Sequence, residues 1–324
     1  MPSPPILFIT FDRLEITQRV FEQIRQAKPD RLYLVSDGAK PQQADQEEKV
    51  QTVRNFLSAN VDWACSVEQL FRNRNWGCDR NIPNAIDWFF ETEDEGIILE
   101  DDCLPDPAFF RFCAELLEYH KSNERVMMIS GDRFLKNRKP EKSSYTFSTL
   151  SYSWGWATWR DRWNKIKAIT EARGDVNSQL IPSFLKGTAR KFWNHQIGSV
   201  RLDKSTWDVD WQFALWAADG VSIMPPGNLV TNIGATGTHM KPYDPCINLP
   251  TVPLSFPLTH PAIIESSEKR DIRTEKLVRR SVLKNVELIL KYAVLLPFQK
   301  DKTVSSGIKS LIRSMADEIS HRQK

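Results

Sequence analysis

The sequence predicts an α/β protein with a mostly parallel central sheet, helices on both faces, and a helical C-terminal appendage. Three observations carry this. Over the first hundred residues, short apolar runs alternate with segments of helical periodicity, the pattern of βαβ units. The runs are apolar on both faces, as strands covered by helices above and below must be. Three of them end in charged or polar residues, namely Asp12-Arg13, Ser36-Asp37-Gly38 and Glu100-Asp101-Asp102. That places chemistry at the carboxyl ends of the strands, where open α/β sheets bind ligands.

In chain order, Ile6 to Phe11 reads as a buried strand, and Leu14 to Gln26 as a helix with Ile16, Val20, Phe21 and Ile24 at helical spacing. Leu32 to Val35 is the second strand. A long polar helix follows over Gln42 to Ser58, and a third strand lies near Ala64 to Val67. The helix Asn84 to Phe90 precedes the strand from Gly96 to Leu99. Pro105 and Pro107 stop that strand, and Ala108 to Tyr119 is helical. Val126 to Gly131, Val221 to Pro225 and Leu229 to Gly234 are later strands. A helix starts near Trp207 and ends at Gly220.

The 324 residues, 41% hydrophobic, suffice for one large domain with an appendage. A net charge of +3 is too mild for a nucleic-acid partner. The charge is uneven, because residues 265–324 carry 14 Lys+Arg against 8 Asp+Glu, which leaves the rest net acidic. The tail has an apolar stripe (Leu277, Val278, Val282, Val286, Ile289, Leu290, Val294) beside Arg279, Arg280, Lys284 and Lys291. Such helices lie on anionic membranes, or pack on the main domain or a dimer partner. Five cysteines without a C-x-x-C pair suit a reducing compartment. No stretch approaches the roughly 20 apolar residues of a membrane span. The expectation is a cytoplasmic protein, possible contact with the inner membrane face being left to the tail.

Three adjacent acids at a strand end repel one another unless a cation or solvent absorbs the charge. Hard carboxylate ligands suit Mg²⁺ or Mn²⁺ shared with substrate phosphates. No G-x-G-x-x-G or G-x-x-x-x-G-K-[ST] follows any strand, which argues against a dinucleotide fold or a P-loop. Arg72, Arg74 and Arg80 around Gly77 are candidates for a diphosphate. Eight of the eleven tryptophans lie between Trp154 and Trp216. Indoles there either pack in the core or stack on sugar faces. Asp208 and Asp210 form a second acidic group at a helix start, where an acid serves as cap or dipole partner.

The triplet Glu100-Asp101-Asp102 after an apolar strand, with Pro105, Pro107 and the aromatic helix of Phe109, Phe110 and Phe112, resembles the metal motif of GT-A glycosyltransferases. It is closest to the Glu-Asp-Asp version of the N-acetylglucosaminyltransferase I branch. The resemblance covers about residues 5–240. It implies a GT-A type domain over 1–240, with a nucleotide-binding half (1–125) and an acceptor half (126–240). A Pro-rich wrapping segment (241–264) and the basic tail (265–324) follow. It further implies a UDP-sugar donor, a glycan or other hydroxyl acceptor, and Mn²⁺ or Mg²⁺ held by Asp102, with His239 as a second candidate ligand. By position, Arg13 and Asp37 contact the uridine, Arg80, Glu100 and Asp101 belong to the donor site, and Gly155-Trp156 line the sugar site. Asp210, just before a tryptophan, takes the place of the catalytic base, and Asp208 that of a helix cap. Two other classes fit the same features: a sugar nucleotidyltransferase, usually marked by a Gly-rich loop that Thr10 to Leu14 lacks, and an inactive carbohydrate- or partner-binding module.

Overall fold

The computed structural model describes residues 3–41, 44–134, 143–203, 205–234 and 246–278. The strands of the main sheet are β1 (Ile6–Thr10), β2 (Arg31–Ser36), β3 (Ser66–Phe71), β4 (Glu95–Glu100), β6 (Val126–Ser130), β7 (Thr146–Ser148), β8 (Trp156–Trp159) and β9 (Val221–Met224). They lie in the order β3-β2-β1-β4-β8-β6-β9-β7. The first four are mutually parallel. β8 runs antiparallel between β4 and β6, and β7 runs antiparallel at the far edge. A separate two-stranded ribbon pairs β5 (Cys103–Pro105) with β10 (Val230–Asn232).

Side chains alternate between the two sheet faces, as the period of two requires. Ile6 and Phe8 of β1, Leu32 and Leu34 of β2, and Ile97 and Leu99 of β4 enter one core, against α1 (Leu14–Ala27), α2 (Ala44–Ala59) and α4 (Pro107–His120). Leu7 and Ile9, Tyr33 and Val35, and Ile98 enter the other, against α3 (Cys78–Thr92), α5 (Arg160–Glu171) and α7 (Trp207–Ala217). A further helix, α6 (Gly187–Arg201), packs outside α7 through Trp193. This is the predicted architecture, a Rossmann-like, GT-A type sheet with helices on both faces. Full burial of Phe109 and Phe112 on α4 stabilises by about 1.5–3 kcal/mol each. Asp106 caps that helix by accepting from Ala108 N at 2.9 Å, with Pro107 at the first helical position.

Two boundaries differ from the sequence reading. β3 begins at Ser66, because as a sheet edge it is largely exposed and has a weak apolar signal. α3 begins at Cys78 and runs through Pro83. Gly77 (φ 75°) closes the preceding loop, and the N–H groups of Arg80 and Asn81 bond to its carbonyl. The helix is therefore nucleated ahead of the proline.

Residues 246–278 wrap the domain. Asn248 N and Val252 N donate to the carbonyls of Asn232 and Asn228 at 2.9 Å. Leu258 N donates to Glu115 of α4 at 3.0 Å. Further along, the buried Asp271 accepts from Ser148 Oγ (2.7 Å), Thr149 N (3.0 Å) and Thr149 Oγ1 (2.9 Å). Trp193 Nε1 donates to Glu275 at 2.9 Å. The first residues of the segment read as a basic tail are thus fastened to the domain by buried acids. Residues 279–324, on which the membrane and dimer readings rest, lie outside the described residues. No helix among the described residues is long and apolar enough to cross a membrane.

A hydrogen-bond chain ties the wrap to α4. His120 Nε2 meets the Tyr145 hydroxyl at 2.8 Å, and that hydroxyl meets His260 Nδ1 at 3.0 Å. Tyr119 stacks on the His260 ring at 3.6 Å. Burial, reinforced by nearby His260, pushes His120 from 6.5 down to about 4. The folded protein therefore excludes a proton that the unfolded chain accepts. That contribution is present above the unfolded value and is lost as pH falls from about 6.5 towards 4. Denaturant melts should lose on the order of 1–3 kcal/mol of stability over this window. His120→Gln should flatten that acid limb, and an unchanged slope would assign the loss to other groups.

Candidate active site

The carboxyl ends of β1, β2 and β4 open into one cleft of about 1410 Å³. Its far wall is built from α3, α5 and the start of α7, and Asn232 and Gly234 close it beside β10. The acidic triplet sits at its floor. Glu100 is the last residue of β4, and the chain turns at Asp101-Asp102 before entering the β5–β10 ribbon. Ile233 N donates to the Asp102 carbonyl at 2.8 Å. Gly234 lies against the Asp102 carboxylate so closely that a Cβ there would overlap it. Asp102 is thus held against the ribbon at both its carbonyl and its carboxylate.

One guanidinium answers them. Arg13 Nη2 bonds to both Asp101 Oδ1 and Asp102 Oδ2, the latter at 2.9 Å. Asp101 Oδ2 also accepts from Phe11 N at 3.4 Å. Burial works to lower the Arg13 pKa, but the charges of Asp101 and Asp102 override it and hold the group firmly cationic. Arg13 therefore faces the triplet rather than standing free for a nucleotide. Glu100 is pushed well up, first by burial and then by Asp102, Asp101 and Asp208. Asp101 is also raised by burial, against the pull of Arg13. The described residues lining the cleft include ten Asp or Glu and only four Lys or Arg. An anionic ligand entering here needs added positive charge.

The fit to a divalent cation follows from that surplus. Among the described residues no three His, Cys, Asp or Glu side chains are placed to enclose a metal. Mg²⁺ and Mn²⁺ sites commonly use one or two carboxylates and complete the shell with water and substrate phosphates. The triplet suits that arrangement, with Asp102 its more exposed member beside Asp101, at 19% against 5% side-chain exposure. His239 lies outside the described residues.

Asp37 is the main correction. Its carboxylate accepts from Gly38 N and Trp76 N through Oδ1, both at 2.9 Å, and from Gly77 N (2.9 Å) and Asn75 Nδ2 (3.1 Å) through Oδ2. A carboxylate has about four acceptor positions, so none is left for a uracil N3–H. Asp37 instead fastens the loop after β3 to the end of β2. Gly38 packs on the Arg74 backbone where a Cβ would overlap it, so its close approach is to protein rather than ligand. The loop presents Trp76 to the cleft, with Arg72 and Arg80 over its ring at 4.1 and 4.6 Å. Of the three candidate arginines only Arg80 lines the cleft; Arg72 bonds to Asn81 and Asn84, and Arg74 contributes backbone.

Gly155-Trp156 is the second correction. Trp156 is 1% exposed in the α3–α5–α7 core, and neither residue lines the cleft. The alternation of β8 turns this indole inward, where it stacks on Trp207 at 5.9 Å. Trp207, Trp163 and Trp211 line the cleft in its place, together with Trp154. Asp210 also lines it and accepts from Ser205 Oγ. Asp208 makes no capping bond; Thr206 is the N-cap residue, and the Asp208 charge is felt by Glu100. Sequence reasoning missed Trp76 and the pair of bonds from Trp163 Nε1 and Lys167 Nζ to Asp87, both 2.8 Å, and ranked Trp207 below Gly155-Trp156 as a sugar contact. The available signal was the indole at the first residue of α7, directly before the acids.

No protein-family model matches the chain, and no curated protein matches it in sequence. Among solved structures it is similar to a cytidylyltransferase from Leptospira borgpetersenii serovar Hardjo-bovis (strain JB197), at 13% identity and a TM-score of 0.32, covering 52% of this chain and 65% of that one. It is also similar to HddC from Yersinia pseudotuberculosis, at 9% identity and a TM-score of 0.30, covering 49% of this chain and 77% of that one. The match thus spans less than two thirds of the first neighbour. Likenesses this distant carry no argument about activity, and the reading of the cleft rests on its own residues.

The Asp37 geometry makes a measurable claim. Asp37→Ala frees four donors, Gly38 N and three in the loop after β3, and should destabilise the fold by about 1–3 kcal/mol. UDP and CDP should lose affinity by similar factors in calorimetric titration, since the loop and not a base contact is lost. Loss of a UDP preference alone, with CDP binding unchanged, would return Asp37 to the base.

Proposed function

We propose that this chain is a metal-assisted glycosyltransferase that moves a sugar from a nucleotide-diphosphate sugar to an acceptor hydroxyl. The observation that carries the reading is the charge arrangement of the cleft. Of three carboxylates at the end of β4, two bond to one guanidinium, and a second acidic group, at the start of α7, lines the same cavity. Transfer from a diphosphate asks for both. When bound, Mn²⁺ or Mg²⁺ supplies positive charge to the departing diphosphate. Asp102 would hold it, with Glu100 and Asp101 beside it.

Each remaining role belongs to a residue of the chain. Arg13 keeps Asp101 and Asp102 in place by bonding to both. Arg80, on the Trp76 ring, is the cation of α3 that reaches the cleft and suits a phosphate oxygen. Asp210 takes the proton of the acceptor hydroxyl as general base. Its bond from Ser205 Oγ fixes the carboxylate at the cleft wall. A uridine donor and inversion at the anomeric carbon are carried by the family resemblance, to which Asp37 adds no free acceptor.

The test is a panel of nucleotide sugars with and without Mn²⁺, read by thermal shift and product formation. A donor at 100 times its dissociation constant should stabilise by about 2.7 kcal/mol. Asp102→Asn should remove the metal-dependent part of that shift and leave the unliganded melt close to wild type. Nucleotide binding indifferent to EDTA would overturn the metal role. Pyrophosphate release from a nucleoside triphosphate and a sugar phosphate would make the chain a nucleotidyltransferase; the absence of glycine in Thr10 to Leu14 disfavours this. Binding without turnover of either kind would leave a carbohydrate-binding module.

The two acids of α7 should fail differently. Asp210→Asn should slow transfer by about 10²–10⁴-fold, the usual worth of a general base, with donor binding nearly unchanged. Asp208→Asn should alter transfer little, since Asp208 is exposed and does not line the cleft. The reverse result in single-turnover kinetics moves the base to Asp208.

A further inference from the structure

We propose that the wall formed by α5 and the start of α7 is a saccharide subsite with Trp207 as its stacking platform, and that it selects an uncharged or amine-bearing sugar. The assignment of that sugar to the acceptor rests on the transfer reading above; the subsite itself does not.

Four indoles form a continuous array. Trp207 stacks on Trp156 at 5.9 Å and 22°, Trp156 meets Trp211 edge-on at 4.9 Å, and Trp211 stacks on Trp163 at 5.5 Å and 22°. Trp156 and Trp211 are 1% and 2% exposed, so the array is anchored in the core. Trp207 is half-buried and lines the cleft. Its ring is held before any ligand arrives, so little side-chain freedom remains to be lost on binding. An apolar ring face of this kind packs against the C–H face of a pyranose.

The polar surroundings fit the same ligand. Trp211 lines the cleft and its indole N–H is buried with no acceptor. An unmet donor of this sort favours a ligand rich in hydroxyl and ring oxygens. Thr170 and Ser205 add hydroxyls to the wall. Its charged groups are Asp87, Glu171, Asp203, Asp210 and Lys167 among the described residues. Lys167, the cation of this wall, is bonded to Asp87 at 2.8 Å. A uronate or sulfated sugar therefore meets more acidic than basic groups along this wall among the described residues. A neutral sugar meets no such barrier, and an ammonium is attracted.

Calorimetric titration of the full chain at low salt with chitotriose, chitosan trimer and trigalacturonate tests this. The first two should bind, and trigalacturonate should bind at least about tenfold more weakly. Trp207→Ala should weaken chitotriose by about tenfold or more, while the thermal shift by UDP with Mn²⁺ persists. Trp207→Phe keeps a ring against Trp156 and should retain most of the affinity, which separates lost stacking from a damaged fold. Glu171→Lys should strengthen trigalacturonate. Unchanged chitotriose binding by Trp207→Ala, a preference for trigalacturonate, or no binding of any probe overturns the proposal. Saccharide binding without a UDP shift leaves the subsite standing and removes the transfer reading. A UDP shift without saccharide binding does the reverse.

Discussion

The contact of Arg13 with Asp101 and Asp102 is the constraint on which the cleft depends. Two parallel neighbours, β1 and β4, end side by side, and the residues just past their ends, Arg13 and Asp101-Asp102, bring opposite charge to one place. Without the guanidinium, three carboxylates would face each other in a region partly withdrawn from water, where like charges interact far more strongly than in bulk solvent. Even with it, Glu100 is held well above the ordinary carboxylate range. The floor of the cleft is thus poised for more positive charge than the described residues provide. The ribbon of β5 and β10 holds Asp102 there, at its carbonyl and its carboxylate.

The rest of the site is built outward from that floor. Asp37 accepts one bond from Gly38 N and three from the loop from Asn75 to Gly77, and so decides where Trp76 and the first turn of α3 stand. On the opposite side the indole array joins β8, α5 and α7, and positions Trp207 and Asp210 together. The two walls have different chemistry. One carries Arg80 over the Trp76 ring, which suits an anionic group. The other carries aromatic faces with acids and hydroxyls, suited to a polyhydroxylated ligand.

The wrap over residues 246–278 performs a structural task at a distance from the chemistry. It follows β10, α4 and β7, and Asp271 and Glu275 attach it through Ser148, Thr149 and Trp193. Because β10 is also the partner of β5, the wrap braces the ribbon that confines Asp102. The fold thereby connects a peripheral segment to the floor of the cleft through the backbone hydrogen bonds of Asn248 to Asn232 and Val252 to Asn228, and through the Thr231 hydroxyl, which donates to the Leu249 carbonyl at 2.8 Å.

What the sequence determined by itself was the layered architecture and the location of the cleft. Both follow from local information: apolar runs such as Ile97-Ile98-Leu99 are short and uniform because two helical layers cover them, and polar residues at their ends cannot be buried in the sheet. The acidic triplet and the acids of α7 were legible for the same reason. Only the tertiary structure decided what those residues touch. Asp37 read as a free acceptor, yet Gly38 N and three donors from residues 75–77, almost forty positions later, occupy it. Trp156 read as a sugar contact, yet its position in β8 turns it into the core, and it serves by backing Trp207. In both cases the deciding partner is distant in sequence and near in space. A carboxylate binds whichever donors reach it first, and an indole faces whichever side the sheet's alternation assigns.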